Sequence, residues 1–419
     1  MVGDLKSISY SKTLREFTSD YNAIDNKESP QQDLEVLRLI ERTLSDLFTI
    51  YVYQRPGSYW FNVDDKHKAA FWKPLSDFEQ IQTDAKDTYR EHFFHQFNVF
   101  LLGCVIIERY IDDLTKVYEK RYGISTGDGK DMLEEAWLFA STFHDVAYAA
   151  QTIRKWVTWF FDTLFLGGRP IARFEWSELV SETTSLIRLD WMISFLEHTL
   201  SGTSEDWDIA KASLSSFTCR NLLIDRLRPK NDDDEEVKSH GVLSALTLLY
   251  RFVPDNPKDP SVSANQLNRI NKVIVPAALA IAMHHFRQEE VDIVYEALGC
   301  DVFQASLLPL SCLLLFCDNA QEWSRYGKSE REHNVSATII GDISFDTGVD
   351  INLEYQFLNR PTEDRQQILA EIDKFKPFVE KSVNFDLIID KEFKINYGVQ
   401  HPGGRSGGPL ESIIFRRKK

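Results

Sequence analysis

Six of the ten histidines in the 419-residue chain interrupt otherwise apolar stretches. They fall in YREHFFHQFNVFLLG, LFASTFHDVAYAAQ, VKSHGVLSALTLL and AIAMHHF, and a fifth apolar stretch, PLSCLLLFCDNAQEW, carries an aspartate. Imidazole and carboxylate groups are costly to bury unless a partner or a cation compensates them. They are also common ligands of divalent transition metals. The five segments together predict a buried metal centre.

Helices must bring these segments together, because they are far apart along the chain. Apolar residues recur at three and four positions from residue 32 to 53, which predicts a first amphipathic helix. The same reasoning predicts a long helix over about 83–120, a second over MLEEAWLFASTFHDVAYAAQTIRKWVTWFF, and further helices over VKSHGVLSALTLLYRF, 271–286 and 306–323. The fold class predicted is mainly α.

The hydrophobic pattern of the sequence changes after about residue 330. ATIIGDISF, VDINLEYQF and FDLIIDKEFKINY alternate as strands do, with QQILAEIDKFKPFVEK as a helix between them. The final stretch, PGGRSGGPLESIIFRRKK, is rich in glycine and then basic, which indicates a flexible loop and tail. We therefore predict a helical segment over 1–82, a helical core over 83–330 and a small α+β appendage over 331–419.

The composition of the chain limits the classes of substrate, compartment and membrane contact that we expect. The formal charge of −16 favours a small substrate over a long nucleic-acid duplex, which would need a local basic groove. The five cysteines form no CxxC pair, which favours a reducing, cytoplasmic compartment. No stretch has the roughly 18 apolar residues of a membrane span, so we expect no membrane association.

The order of the polar residues resembles the HD superfamily of metal-dependent phosphohydrolases, in which a His, a His-Asp doublet, further His clusters and an Asp follow one another. The stretch from His95 to Val99 is similar to the first motif of cyclic-nucleotide phosphodiesterases, and TFHDVA resembles the doublet. SHGVLSALTLL resembles a motif of the nuclease domain of CRISPR helicase-nucleases. AIAMHHF resembles the paired-His motif shared by that domain and by HD-GYP cyclic-dinucleotide phosphodiesterases.

This resemblance implies an HD-type helical bundle with two metal ions per chain. One ion would be held by His95, His144, Asp145 and Asp318, and the other by His240, by His284 or His285, and by Asp145 as a bridge. Mn, Fe, Co, Ni and Zn suit such ligands, and Mg is a further candidate. Because enzymes of this family commonly form homo-oligomers, the resemblance extends that expectation to this chain.

Other residues are candidates for contact with the substrate. Many family members carry Lys or His four positions after the doublet's His, whereas this chain has Tyr148, which either donates a hydrogen bond or packs as an aromatic ring. His92, one turn before His95, is a candidate ligand, proton donor or outer partner of a ligand. Arg154, Lys155 and Arg325 are candidates for binding substrate phosphates, or are surface charges.

The resemblance implies a hydrolase in which water attacks a nucleotide phosphate bond, in a deoxynucleoside triphosphate or a cyclic nucleotide, with Asp145, His92 and Tyr148 in the reaction centre. Two other functions stay open. The likeness of SHGVLSALTLL and AIAMHHF to the CRISPR nuclease domain favours a single-strand nuclease. The absence of Lys four positions after the doublet's His favours a nucleotide sensor or scaffold with a degenerate site.

Overall fold

The computed structural model describes residues 16–17, 20, 32–53, 72, 77, 92–109, 111–148, 240–253, 262–286, 308–322, 335–340, 348–357, 392–400 and 411–415. These residues are mainly helical, as the sequence predicts. The helices are α1 (Gln32–Phe48), α2 (His92–Arg109), α3 (Ile111–Tyr122), α4 (Gly129–Phe143), α5 (His240–Phe252), α6 (Ala264–Arg269), α7 (Val275–Met283) and α8 (Pro309–Glu322), with π-helical segments at Thr49–Tyr53 and Ile270–Ile274.

Helix α4 lies at the centre of the described helices. Every residue from Leu133 to Phe143 is buried, and α4 contacts α2, α3, α5, α7 and α8. A helix that is buried on all sides lies inside a core. Because α4 is enclosed in this way, the residues that follow its C-terminal end, His144 and Asp145, enter the interior of the protein.

An aromatic cluster packs around the C-terminal half of α4. The Phe48 ring lies 5.1 Å from Trp72 and 5.5 Å from Phe139, and Phe143 lies 5.7 Å from Trp72. The Phe252 ring lies 4.8 Å from Phe139. Each large ring contributes roughly 1.5–3 kcal/mol when fully buried. The cluster fixes the end of α4, and with it the position of the adjacent doublet.

Helices α2 and α4 approach each other closely at a glycine. A Cβ on Gly103 would overlap the Trp137 indole, whose Nε1 donates a hydrogen bond to the Phe100 carbonyl at 3.1 Å. Glycine at this position leaves room for the indole. The close approach brings the histidines of α2 near the end of α4.

The helix that spans α6 and α7 contains a π-helical segment ahead of a proline. Pro276 has no N–H to donate and cannot satisfy the Lys272 carbonyl one turn earlier. The Tyr118 hydroxyl on α3 donates to that carbonyl instead, at 2.6 Å. On the same side of the core, Arg269 forms an ion pair with the fully buried Glu135 of α4. These contacts fix the direction in which α7 runs toward its C-terminal end.

Two predicted helices differ from those observed. The continuous helix predicted over about 83–120 is two helices in the described residues, α2 and α3, and α3 starts with Asp112 and Asp113 in its first turn, where acidic side chains favour a helix N-terminus. The helix predicted through the doublet is interrupted there: α4 ends at Phe143, His144 and Asp145 form a turn, and residues 146–148 are helical again. Its remainder from 149 onward lies outside the described residues.

Four strands form one sheet in the order β1-β2-β3-β4: β1 (Val335–Ile340), β2 (Gly348–Phe357), β3 (Glu392–Gln400) and β4 (Glu411–Phe415). The outer pairs are antiparallel, and β2 and β3 are parallel, with Ile351 opposite Ile395. Strand β4 lies within 402–419, where a loop and tail are predicted. Its sequence, ESIIF, has the β-branched and aromatic residues that favour a strand. The predicted helix QQILAEIDKFKPFVEK lies outside the described residues.

None of the helices in the described ranges combines the length and the apolar character that crossing a membrane would need.

Candidate metal centre

Histidines and aspartates from five helix ends and faces converge at the end of α4. His92 and His95 lie in the first turn of α2, and the His144-Asp145 doublet follows α4. His240 is the first residue of α5, and His284 follows α7. Asp318, on α8, completes the group. Two sets of three residues each place one ligand atom per residue within 4.8 Å of the others. We call them the first triad (His95, His144, Asp318) and the second triad (Asp145, His240, His284).

The first triad is enclosed in the core. His95 Nε2 lies 2.7 Å from Asp318 Oδ1, and His144 Nε2 lies 3.6 Å from the same oxygen. All three residues are buried, His144 completely. This short contact is a hydrogen bond between imidazole and carboxylate, and it must lengthen slightly for both groups to share an ion.

The second triad is centred on Asp145. Its Oδ1 lies 3.1 Å from His240 Nε2 and 3.5 Å from His284 Nε2. Asp145 and His284 are buried, whereas the His240 side chain is 17% exposed. The second triad therefore has contact with solvent at His240. Ligand atoms sharing a metal with bonds of about 2.1 Å lie roughly 3–4 Å apart, so the observed separations fit a bound ion.

Two imidazoles present a nitrogen that the described part of the protein leaves without a hydrogen-bond partner. His144 Nδ1 donates to the Ser141 carbonyl at 2.7 Å, and His284 Nδ1 donates to the Ile281 carbonyl at 2.5 Å. When the two rings are neutral, these bonds leave Nε2 as the lone-pair atom, and both Nε2 atoms are buried with no hydrogen bond to another described residue. Backbone carbonyls commonly orient metal-binding histidines in this way.

Electrostatics at the doublet favour an ionised Asp145. Burial opposes ionisation of this carboxyl group, but the positive charge of a protonated His144 and the side-chain contacts with His240, His284 and His92 outweigh burial and hold its pKa well below the ordinary range. Burial also opposes the charge on His144, yet the carboxylates of Asp145 and Asp318 raise its pKa. Burial lowers the pKa of His284. A buried carboxylate surrounded by imidazoles is a suitable environment for a cation.

His92 belongs to neither triad but contacts the doublet. Its Nδ1 lies 3.1 Å from Asp145 Oδ2, the oxygen not directed at the second triad. Its ring lies 3.5 Å from the Tyr148 ring with an angle of 30° between the planes. The Tyr148 ring is also 5.9 Å from His240, nearly perpendicular to it.

The paired histidines after α7 have different environments. His284 enters the second triad, whereas His285 is exposed and its ring lies 4.1 Å from the His240 ring. Of the two alternatives for the second ion, the structure brings His284 to the triad, and His285 belongs to neither triad. The predicted ligands brought together are His95, His144, Asp145, His240, His284 and Asp318. Arg154, Lys155 and Arg325 lie outside the described residues.

Two residues that build the site have no place in the sequence-based prediction. Gly241 lies against His284 and the Ile281 carbonyl, so only a glycine lets α5 approach α7 this closely. Ser244 Oγ accepts a hydrogen bond from the Ala147 N–H at 3.0 Å and ties α5 to the turn after the doublet. In the sequence, the signals for these two roles are a glycine directly after the candidate ligand His240 and a serine one turn later on the same apolar helix.

The donor set suits a divalent transition metal, since four imidazoles and two carboxylates form the two triads. No protein-family model, no curated protein and no solved structure matches the sequence. The functional assignment consequently depends on the geometry of these side chains and on their order along the chain.

Proposed function

We propose that this chain is an HD-type metal-dependent phosphohydrolase that hydrolyses a phosphate bond of a nucleotide. The observation that carries the proposal is the doublet itself: His144 belongs to the first triad, and the adjacent Asp145 centres the second. Two triads joined by consecutive residues would hold two ions close together. Two ions that lie close together can act on the same phosphorus atom. The arrangement therefore fits a reaction centre better than it fits two separate structural metal sites.

The charge of the two triads supports an anionic substrate. They contain two carboxylates, Asp145 and Asp318, and four imidazoles that bind metals in the neutral form. Two divalent ions would leave a surplus of about two positive charges in a largely buried site. A phosphate group would balance this surplus, whereas a neutral ester or amide would not.

Bound divalent ions would polarise the phosphate and lower the pKa of an attacking water. The protein's own contribution is to hold the ligands. His144 and His284 are oriented by backbone carbonyls, and Asp145 stays ionised in the interior. Because His240 is the partly exposed member of the triads, substrate would approach past the second triad.

A nucleotide is the favoured substrate because the chain as a whole is strongly acidic, with a formal charge of −16, and would repel a long nucleic acid. A single-strand nuclease is the second candidate. It is favoured by the likeness of SHGVLSALTLL and AIAMHHF to the nuclease domain of CRISPR helicase-nucleases, since both stretches supply ligands of the second triad.

The test combines metal analysis with a substrate panel. The purified chain, loaded with Mn, Fe, Co, Ni, Zn or Mg, is assayed with deoxynucleoside triphosphates, cyclic nucleotides and labelled single-stranded DNA and RNA. We expect about two metal ions per chain and turnover of a nucleotide. Asp145→Asn should remove at least the metal ion of the second triad and abolish turnover, whereas Asp113→Asn, at an exposed position of α3, is the matched control and should change neither.

Each other outcome has a distinct meaning. Turnover of nucleic acid alone would favour the nuclease. Metal binding and nucleotide binding without turnover would favour a sensor. A chain that binds no metal, or an Asp145→Asn variant that keeps full activity, would contradict the proposed site.

A further inference from the structure

We propose that His92 and Tyr148 are positioning residues that together fix the carboxylate of Asp145 for the second triad. His92 does so by a hydrogen bond, and Tyr148 does so by holding the His92 ring. This inference rests on the proposed function, because it assigns roles within the same metal site. It assigns Tyr148 a role through its ring and not through its hydroxyl group.

The two oxygens of Asp145 have different partners. Oδ2 lies 3.1 Å from His92 Nδ1, on α2, whereas Oδ1 lies 3.1 Å from His240 Nε2, on α5. A carboxylate in the turn after α4 could rotate and exchange its two oxygens. A hydrogen bond to one oxygen prevents that rotation and keeps the other directed at the second triad. Outer partners of this kind commonly contribute a large part of the metal affinity of a site.

The Tyr148 ring packs against the His92 ring. The ring centroids lie 3.5 Å apart with an angle of 30° between the planes, and the Tyr148 N–H donates to the Asp145 carbonyl at 2.9 Å. The tyrosine is thus anchored to the same turn that carries the aspartate. The ring contact with Tyr148 and the hydrogen bond to Asp145 together restrict rotation of the imidazole.

The stack also explains how this chain departs from the family pattern after the doublet. A Lys or His at this position would extend a cation or a proton donor toward a phosphate. Tyr148 instead lies face to face with His92, which occupies one face of its ring. The group that the ring holds in place, His92, is itself bonded to a ligand of the second triad. At this position the Tyr148 ring therefore makes a contact within the protein.

The test measures Mn²⁺ binding to the full-length, metal-stripped protein by calorimetry, with variants at both positions. Tyr148→Phe keeps the ring and removes the hydroxyl, so its Mn²⁺ affinity should stay within about twofold of wild type. Tyr148→Ala and His92→Ala should weaken one of the two equivalents by roughly 10–100-fold and leave the other unchanged. His92→Asn keeps a donor near the position of Nδ1 and should recover much of the loss.

Thermal unfolding of each metal-free variant shows that the change in affinity is not a failure to fold. The inference is overturned if Tyr148→Phe is as damaging as Tyr148→Ala, because the hydroxyl would then be the active group, or if Tyr148→Ala leaves both equivalents intact. Failure of the proposed function is distinguishable from these outcomes. A wild-type chain that binds two Mn²⁺ ions but hydrolyses no phosphate contradicts the proposed function only, and the affinities of the variants still decide the inference.

Discussion

Gly241 packs directly against His284. A Cβ on this glycine would lie 2.9 Å from His284 Cε1 and 2.8 Å from the Ile281 carbonyl oxygen, closer than real Cβ contacts allow. That carbonyl is also the acceptor for His284 Nδ1. Gly241, which has no side chain, therefore sets the position of the candidate metal ligand His284. It directly follows another candidate ligand, His240, in the sequence.

Replacing Gly241 by alanine should disrupt the second triad selectively. The methyl group must displace either a backbone carbonyl or the His284 ring, and such overpacking typically costs about 1–3 kcal/mol. We expect Gly241→Ala to weaken one of two Mn²⁺ equivalents at least about tenfold, as for loss of an orienting contact, with little change in the other. Titration calorimetry and urea unfolding measure the two effects.

The matched control is Gly129→Ala at the start of α4. The atoms nearest to an added Cβ there belong to the Glu119 side chain, which is in neither triad. Equal loss of affinity in both variants would mean that the effect of Gly241 does not come from its contact with His284.

His284 and His285 should differ sharply in their effect on metal binding, although they are consecutive. His284 is buried with Nε2 directed at Asp145, whereas His285 is exposed and contacts the His240 ring. We expect His284→Ala to lose about one metal equivalent and His285→Ala to keep both, since truncating a ligand removes it from the site. Elemental analysis after gel filtration measures the stoichiometry. Loss of metal from His285→Ala alone would reverse the assignment of the pair.

The residue types of the site could be predicted from the sequence because each one is polar inside an apolar helix. That reasoning finds His95, His144, Asp145 and Asp318 without knowledge of the fold, since buried polar groups require compensation. It does not separate His284 from His285, because both follow the last turn of α7, where helical periodicity ceases to determine which side chain faces inward.

The local backbone is harder to predict from the sequence. The apolar run of α4 continues past the doublet, so nothing in the pattern marks the turn at His144 and Asp145. The π-helical segment before Pro276 has a signal in that proline, but the compensating hydroxyl comes from Tyr118 on a distant helix. The hydrophobic periodicity of a sequence indicates which face of a helix is buried. The turn at the doublet and the π-helical segment depend instead on contacts with other helices.

Ser244 should stabilise the segment that follows the His144-Asp145 doublet. Its Oγ accepts the buried Ala147 N–H, and without it that donor would be left in the core. A buried donor without an acceptor costs about 1–3 kcal/mol. We expect Ser244→Ala to lower the free energy of unfolding by this amount and to weaken metal binding, because Ala147 lies only two residues after Asp145. Urea unfolding of the metal-free protein and Mn²⁺ titration measure both quantities.

Thr247→Ala on the same helix is the control for Ser244→Ala. Among the described residues, the Thr247 hydroxyl donates to the Leu243 carbonyl within α5, at 2.9 Å, so its removal should have little effect on either quantity. If the two variants were equally destabilised, the bond between helices would have no special role.

The two triads should respond differently to pH. Burial opposes the charge on His144, but the carboxylates of Asp145 and Asp318 raise its pKa, so it keeps its proton at a pH where an ordinary histidine, with a pKa of about 6.5, would lose it. A metal can bind the first triad only when that proton leaves. Burial lowers the pKa of His284 in the second triad, so this ring is already neutral. As pH falls from neutrality, the first triad should lose affinity before the second does.

Variants that isolate each triad make the comparison direct. His240→Ala leaves the first triad complete, and His95→Ala leaves the second complete. Mn²⁺ titrations between pH 5.5 and 8, roughly the range over which histidines change charge, should show a higher midpoint for the first triad. In buffers of different ionisation enthalpy, binding to the first triad near neutral pH should release more protons than binding to the second. Coincident midpoints, or a second triad that fails first, would contradict the opposite shifts of His144 and His284.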